Sequence, residues 1–216
     1  MTVQPRRSTG TKGVPREERE EQILTAAAAE FGARGYAGGA VDRIARAAGI
    51  SRAMVHAYFS TKDDLYAACV RRAGEPLVAS VAAAQSATDP VERAMDTVRA
   101  ILGALEDRRD DWSVLYDPTV AEGSAMAAIG HPYRRELAVL GLVGTTEVLS
   151  AAGDPDPLDA HLFGRMWLSI VNTVVLWWLA HPDETPDDAC VRLARILRNH
   201  ANRRARLLLD ARLTIA

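Results

Sequence analysis

The stretch VDRIARAAGISRAMVHAYF, residues 41–59, decides how this chain folds. Val41, Ile44, Ala45 and Ala48 form a short helical stripe that ends at Gly49, and Val55 and Phe59 stand four apart on a second stripe. Ser51 occupies the N-cap position of that second helix. Two short helices, Val41–Ala48 and Arg52–Phe59, are therefore joined by Gly49, Ile50 and Ser51 alone, which is a helix-turn-helix. Small Ala45 lets the helices cross closely, Gly49 can take the left-handed turn conformation, and Ile50 and Val55 plug the angle. An αα-corner in an ordinary bundle is the bland alternative. In a helix-turn-helix the second helix enters the DNA major groove with its N-terminal residues at the base edges. Arg52 then meets guanine, Ala53 and Met54 a thymine methyl, and His56, Tyr58 and Lys62 the phosphates. Arg43 and Ser51 complete this candidate DNA-contacting set.

Working outward, Ile23, Leu24, Ala27, Ala28 and Phe31 predict a preceding helix over residues 17–34, stopped by Gly35. A following helix starts at Ser60 or Thr61, with Asp63 and Asp64 in its first turn, where the helix dipole favours negative charge. Residues 1–15 form a flexible basic arm. Arg6, Arg7, Lys12 and the adjoining Arg16 either trail into a minor groove or act as a solubilising tail.

From Arg19 to Val70 the chain resembles the DNA-binding domain of TetR-type transcriptional regulators. The matching positions are Phe31, Gly35, Tyr36, Val41, Ile44, Ala45, Ala48, Gly49, Ile50, Ser51, Tyr58, Phe59, Lys62 and Leu65. The resemblance implies a homodimeric, all-helical, usually repressing regulator whose divergent C-terminal domain binds a small ligand. Two departures stand out. Gly39-Ala40 precedes Val41 where such proteins often carry a hydroxyl, and Ala53-Met54-Val55-His56 replaces the common Gly-Thr-Leu-Tyr. His56 thus stands where a phosphate-contacting tyrosine is usual, and an imidazole there can donate to phosphate.

Composition agrees with a helical globular protein: 216 residues, 48% hydrophobic and 25% charged. No window alternates as a strand does, and the prolines bound long helical windows, so the fold class is all-α. The net charge of −2 excludes a purely electrostatic DNA binder, but residues 1–75 carry 12 Lys and Arg against 9 Asp and Glu. The remainder carries 14 against 19, so the positive end coincides with the helix-turn-helix. Cys69 and Cys190 make no metal or redox motif and fit a reducing cytoplasm as small apolar fillers. The N-terminus lacks the apolar region of a signal peptide, and the apolar run 166–180 is short for a membrane span and reads as a buried helix.

The expected domains are residues 16–75 for DNA binding and 76–216 for ligand binding and dimerisation. Helices are predicted at about 90–108, 111–117, 132–152, 158–181 and 186–207. Thr185, Pro186 and Asp188 mark the last start. The helix from Leu158 is apolar nearly all round towards its end, which places it between the body and a partner subunit; the last two helices are the expected homodimer contact. Trp112, Trp167, Trp177 and Trp178, with Tyr116, Met126, Phe163 and Met166, are candidates to line an apolar effector pocket, with His131, Tyr133 and Asn172 orienting the ligand. The same aromatics serve equally as core. No nucleotide, serine-hydrolase or zinc motif is present, so neither cofactor nor enzymatic activity is expected. The function expected is effector-controlled release from a palindromic double-stranded operator, with a ligand-free regulator and a helical enzyme as rivals.

Overall fold

The computed structural model describes residues 14–154 and 156–213, with side chains through residue 199. Arg6, Arg7 and Lys12 of the basic arm lie outside the described residues. Among these residues there are nine α-helices and no strand. In chain order they are α1 (Arg16–Gly38), α2 (Val41–Ala47), α3 (Arg52–Tyr58), α4 (Lys62–Ala83), α5 (Pro90–Leu105), α6 (Asp110–Leu115), α7 (Ala125–Ala151), α8 (Pro157–Leu179) and α9 (Pro186–Leu213).

Local chemistry sets most starts. The Ser51 side chain accepts from the Met54 N–H, and Thr61 forms a reciprocal capping box with Asp64. Asp89, Ser124 and Asp156 cap α5, α7 and α8 in the same way, and Thr185 exchanges bonds with Asp188 at the start of α9. Inside α1, Gly35 turns to φ 67°, ψ 172°, so the regular helix ends where the sequence places its stop.

Two prolines depart from the expected punctuation. Pro76 lies inside α4, which runs on to Ala83, and Pro132 lies inside α7, which starts at Ala125 instead of at 132. A proline leaves the carbonyl four residues back without its helical donor. At Pro76 that carbonyl belongs to Arg72, and the Arg108 guanidinium donates to it at 3.4 Å. A tertiary contact thus relieves the penalty that a local reading assigns.

One apolar core runs the length of the chain. Ile23, Phe31, Ile44, Val55 and Leu65 pack the helix-turn-helix head; Leu77, Leu102, Leu105, Leu115 and Trp178 continue into the body. Helix α4 belongs to both parts and crosses the expected boundary at residue 75 unbroken. Cys69 and Cys190 are buried, and burial pushes the Cys69 thiol up to about 12, in keeping with an inert filler. Helix α8 packs along α7, but Leu158, Leu162, Met166 and Leu176 remain exposed. It is long and apolar enough to cross a membrane, with 22% of its most apolar window buried. The expectation of a buried helix therefore holds for one face only in the single chain.

Short α6 ties head to body. Arg72 of α4 donates to Asp111 of α6 at 3.2 Å and to Glu21 and Thr25 of α1 at 2.9 and 3.2 Å. Just past α6, Asp117 accepts from the Tyr36 N–H at 2.5 Å and the Tyr66 hydroxyl at 3.2 Å, while Thr119 accepts from the Ala37 N–H. Gly35 is required there, because a Cβ would overlap the Thr119 side chain. The Asp111 side chain is 3% exposed, so removing its partner strands a buried carboxylate. Arg72→Ala is expected to lower the free energy of unfolding by about 3 kcal/mol in urea titrations. Arg108→Ala, which removes a longer, more exposed pairing with Asp111 and the 3.4 Å contact to the Arg72 carbonyl, is expected to cost less.

Candidate DNA interface and inner cavities

The turn of the helix-turn-helix closes as its residue types demand. Gly49 takes φ 68° and the Ile50 N–H donates to the Ala45 carbonyl at 3.0 Å, while Ile44 and Val55 are buried in the angle. Helix α2 has no side-chain cap, and its start is tied to α1 instead. The Ala40 N–H donates to the Glu30 carboxylate of α1 at 3.1 Å, and Arg43 donates to Glu30 at 2.7 Å and to the Gly38 carbonyl at 2.6 Å. Gly39 sits where a Cβ would overlap the Phe31 ring, which accounts for glycine there. Arg43, placed by sequence among the DNA contacts, is thus engaged in holding α2 to α1.

Ser51, Arg52, Ala53 and Met54 are exposed at the start of α3, with His56 and Tyr58 half-buried farther along it. Arg52 pairs with Asp42 of α2 at 3.2 Å, and its Nε donates to His56 Nε2 at 3.3 Å. His56 Nδ1 lies 3.2 Å from the Ser60 carbonyl, so a proton on Nδ1 leaves Nε2 free to accept from Arg52. The Arg52–Asp42 pair is about 60% exposed on both sides, and such pairs contribute little and yield readily to a phosphate or base. The Arg16 guanidinium lies 5.5 Å from the Tyr58 ring centre, and Lys62 Nζ lies 4.7 Å above Tyr36, whose hydroxyl bonds to Asp63. Arg16, Arg52 and Lys62 thus lie around one turn-and-helix surface.

In the body, two cavities adjoin. The outer one, about 190 Å³, lies among α5, α7, α8 and α9 and is lined by Phe163, Trp167, Ile170, Met95 and Val148, with Arg93 as its charged residue. The inner one, about 110 Å³, is lined by Trp112, Tyr116, Trp167, Asn172 and Arg134. Of the pocket candidates, Trp112, Tyr116, Phe163, Trp167 and Asn172 line these two spaces. Met126 does not: it borders a separate cleft beside Asp117 and Tyr116. Met166 and His131 are exposed, and Tyr133 packs over Gly74 with its hydroxyl on Glu75. Asn172 accepts from the Trp112 indole at 3.0 Å, so that side chain is used to hold α6 to α8.

Sequence reasoning missed Arg93, Thr97 and Gly141. Arg93 forms an ion pair with Glu147, and its Nε is buried without a hydrogen-bond partner. The available signal was weak: Gly141 and Gly144, one turn apart on α7, leave the bare helix face on which the outer cavity rests.

Comparison with known proteins agrees with this geometry. A family model described as bacterial regulatory proteins, tetR family, matches residues 23–69. The HTH-type transcriptional activator FasR of Mycolicibacterium smegmatis is 33% identical over 182 residues, covering 82% of this chain and 80% of that protein. Among solved structures, AibR in complex with isovaleryl coenzyme A and operator DNA superposes with a TM-score of 0.65 at 19% identity, over 82% of this chain and 96% of that one. The regulator FadR from Bacillus subtilis, in complex with stearoyl-CoA, gives 0.60 at 16% identity, over 82% and 95%.

The Glu30 contacts generate a pH dependence. Burial alone would raise this carboxyl, but the hydrogen bonds from Arg43 and the Ala40 N–H outweigh it and hold the group below its ordinary value of 4.5. A carboxyl depressed in the folded state stabilises it above the unfolded pKa, and that contribution is lost as pH falls through the folded value. Glu30→Gln is expected to melt below the wild type at neutral pH. In thermal melts the gap should close as the pH is taken well below 4.5.

Proposed function

The chain belongs to the TetR family of transcriptional regulators, and we propose that it is a dimeric, effector-released member whose ligand is an anionic molecule with an apolar chain, of the acyl-CoA class. The family is one of DNA-binding regulators, not of enzymes, and its members act where operator DNA lies, in the bacterial cytoplasm. The observation that carries the effector reading is the outer cavity: a nearly apolar space with the Arg93 guanidinium, whose Nε lacks a partner, as its charged group. The acyl-CoA complexes of AibR and FadR, which share this fold, support the choice of class.

In this reading Arg52, Ala53 and Met54 read base edges, and Ser51, His56, Tyr58 and Lys62 position the head on phosphates. Arg43 contributes by holding α2. An effector in the outer cavity bears on Trp167, whose indole also borders the inner cavity that Trp112 and Tyr116 line; it displaces α6 through them, and α6 carries α1 and α4 with it through Asp111 and Asp117. A coupling of about 1 to 3 kcal/mol is enough to weaken operator binding from several-fold to over a hundredfold. Release from a palindromic operator that overlaps a promoter makes the protein a repressor. The activator name of the FasR relative favours a second reading, in which the bound protein assists transcription.

The partner subunit covers the exposed stripe Leu158, Leu162, Met166 and Leu176 of α8, together with Val191 of α9. Arg165, Ser169 and Thr173 interrupt the exposed side of α8 and suit a protein partner better than a lipid one. Sedimentation of Leu162→Glu, Met166→Glu is expected to give a monomer where the wild type gives a dimer; a double variant that remains dimeric would place the interface elsewhere.

DNA selected from a random pool supplies the operator for the main test, read by fluorescence anisotropy. Arg52→Ala is expected to lose about 1–3 kcal/mol of preference for that sequence over random DNA, whereas Lys62→Ala weakens both alike and lowers the salt slope by about one. Adding stearoyl-CoA should release the wild type several-fold more readily than Arg93→Leu. Sequence-preferring binding untouched by acyl-CoAs of any length would favour the ligand-free regulator, and the absence of any preference would sink the DNA reading.

A further inference from the structure

We infer that Trp167 sets the length of effector chain this protein accepts, as the wall between two chambers of one bent channel. The inference rests on the acyl-effector reading above and adds a specificity residue to it. Three of the described residues line both cavities: Thr97, Gly141 and Trp167. Gly141 has no side chain, and the Thr97 hydroxyl is engaged with its own helix and with Gln85. Among the described residues, the indole of Trp167 is therefore the one large side chain bordering both spaces. It lies against the bare backbone of α7, since a Cβ built at Gly141 would meet Trp167 Cδ1 at 3.5 Å, ordinary contact.

The chambers differ in what they offer. The outer one carries Arg93, which pairs with Glu147 through one nitrogen but keeps a buried Nε without a partner, and presents apolar side chains beyond it, which suits a chain held at its charged end. The inner one ends on the Trp112–Asn172 pair, and its Arg134 guanidinium is spoken for by the Leu115 carbonyl at 2.8 Å. A chain short enough for the outer chamber stops at the indole. A longer one gains further burial only where the indole does not stand. Each methylene that finds apolar room adds about fourfold to affinity, so the length at which that gain stops reports the position of the wall.

The test is calorimetric titration of the full chain with saturated acyl-CoAs from butyryl to stearoyl, reading binding and not operator release. For the wild type, affinity should climb with chain length and then level off. In Trp167→Ala the climb should continue for several further methylenes, raising affinity for the longest probe at least tenfold. Trp167→Phe, which keeps a ring in the core and stands in if the alanine variant fails to melt cooperatively, should break at an intermediate length. A break at the same chain length in all three proteins overturns the wall while leaving the effector reading intact. No binding by any of them overturns the effector reading, and the wall with it.

Discussion

The charged junction at α6 is the constraint on which the rest of the structure depends. Asp111 is buried, and burial raises its carboxyl against the opposing pull of Arg72 and Arg108. Buried ion pairs of this kind often contribute little net stability, because desolvation cancels most of the attraction. What the arrangement supplies is position. Arg72 also bonds Glu21 and Thr25, so α1, α4 and α6 meet at one guanidinium. At the other end of α6, Asp117 and Thr119 accept from consecutive backbone N–H groups of Tyr36 and Ala37. A six-residue helix held at both ends cannot shift without straining these bonds or carrying the head along. Its middle offers Trp112 to the inner cavity, so the element most tightly joined to the head also borders the space in the body.

Legibility in the sequence followed sequence distance. The head was readable because its determinants are local: Gly35 and Gly49 at left-handed positions, Ser51 and Thr61 as caps, and a stripe of apolar residues at helical spacing. The start of α9 at Thr185 was readable for the same reason. Pro76 misled because the Arg72 carbonyl it orphans is satisfied by Arg108, thirty-six residues away, which no window along the chain can see. Arg43 was read as a DNA contact; only the fold shows that Glu30 lies beside it and ties the start of α2 to α1, because the two residues are thirteen apart in sequence.

The body was legible in its helices and largely in its aromatic residues. Phe163, Trp167, Trp112, Tyr116 and Asn172 do line the cavities, but Met126 and Met166 do not, since helical spacing fixes a face without fixing its neighbour. Arg93 and Gly141 were invisible for complementary reasons. One is a charged residue on an amphipathic helix, where solvent is the default expectation, and the other matters through the side chain it lacks.

The weakness of the individual contacts on α3 is itself informative. Arg52 is held by exposed partners that yield readily, and the whole chain carries a net charge of −2, so no strong field draws it to DNA. A single head with such contacts binds loosely. In the proposed dimer the second head binds as a tethered group, at an effective concentration that falls to nearly nothing once the two heads no longer span their half-sites. Affinity then depends on spacing far more steeply than on any one side chain. In that proposal a small displacement of α6, passed on through Arg72 and Asp117, is amplified at the operator without altering the reading surface.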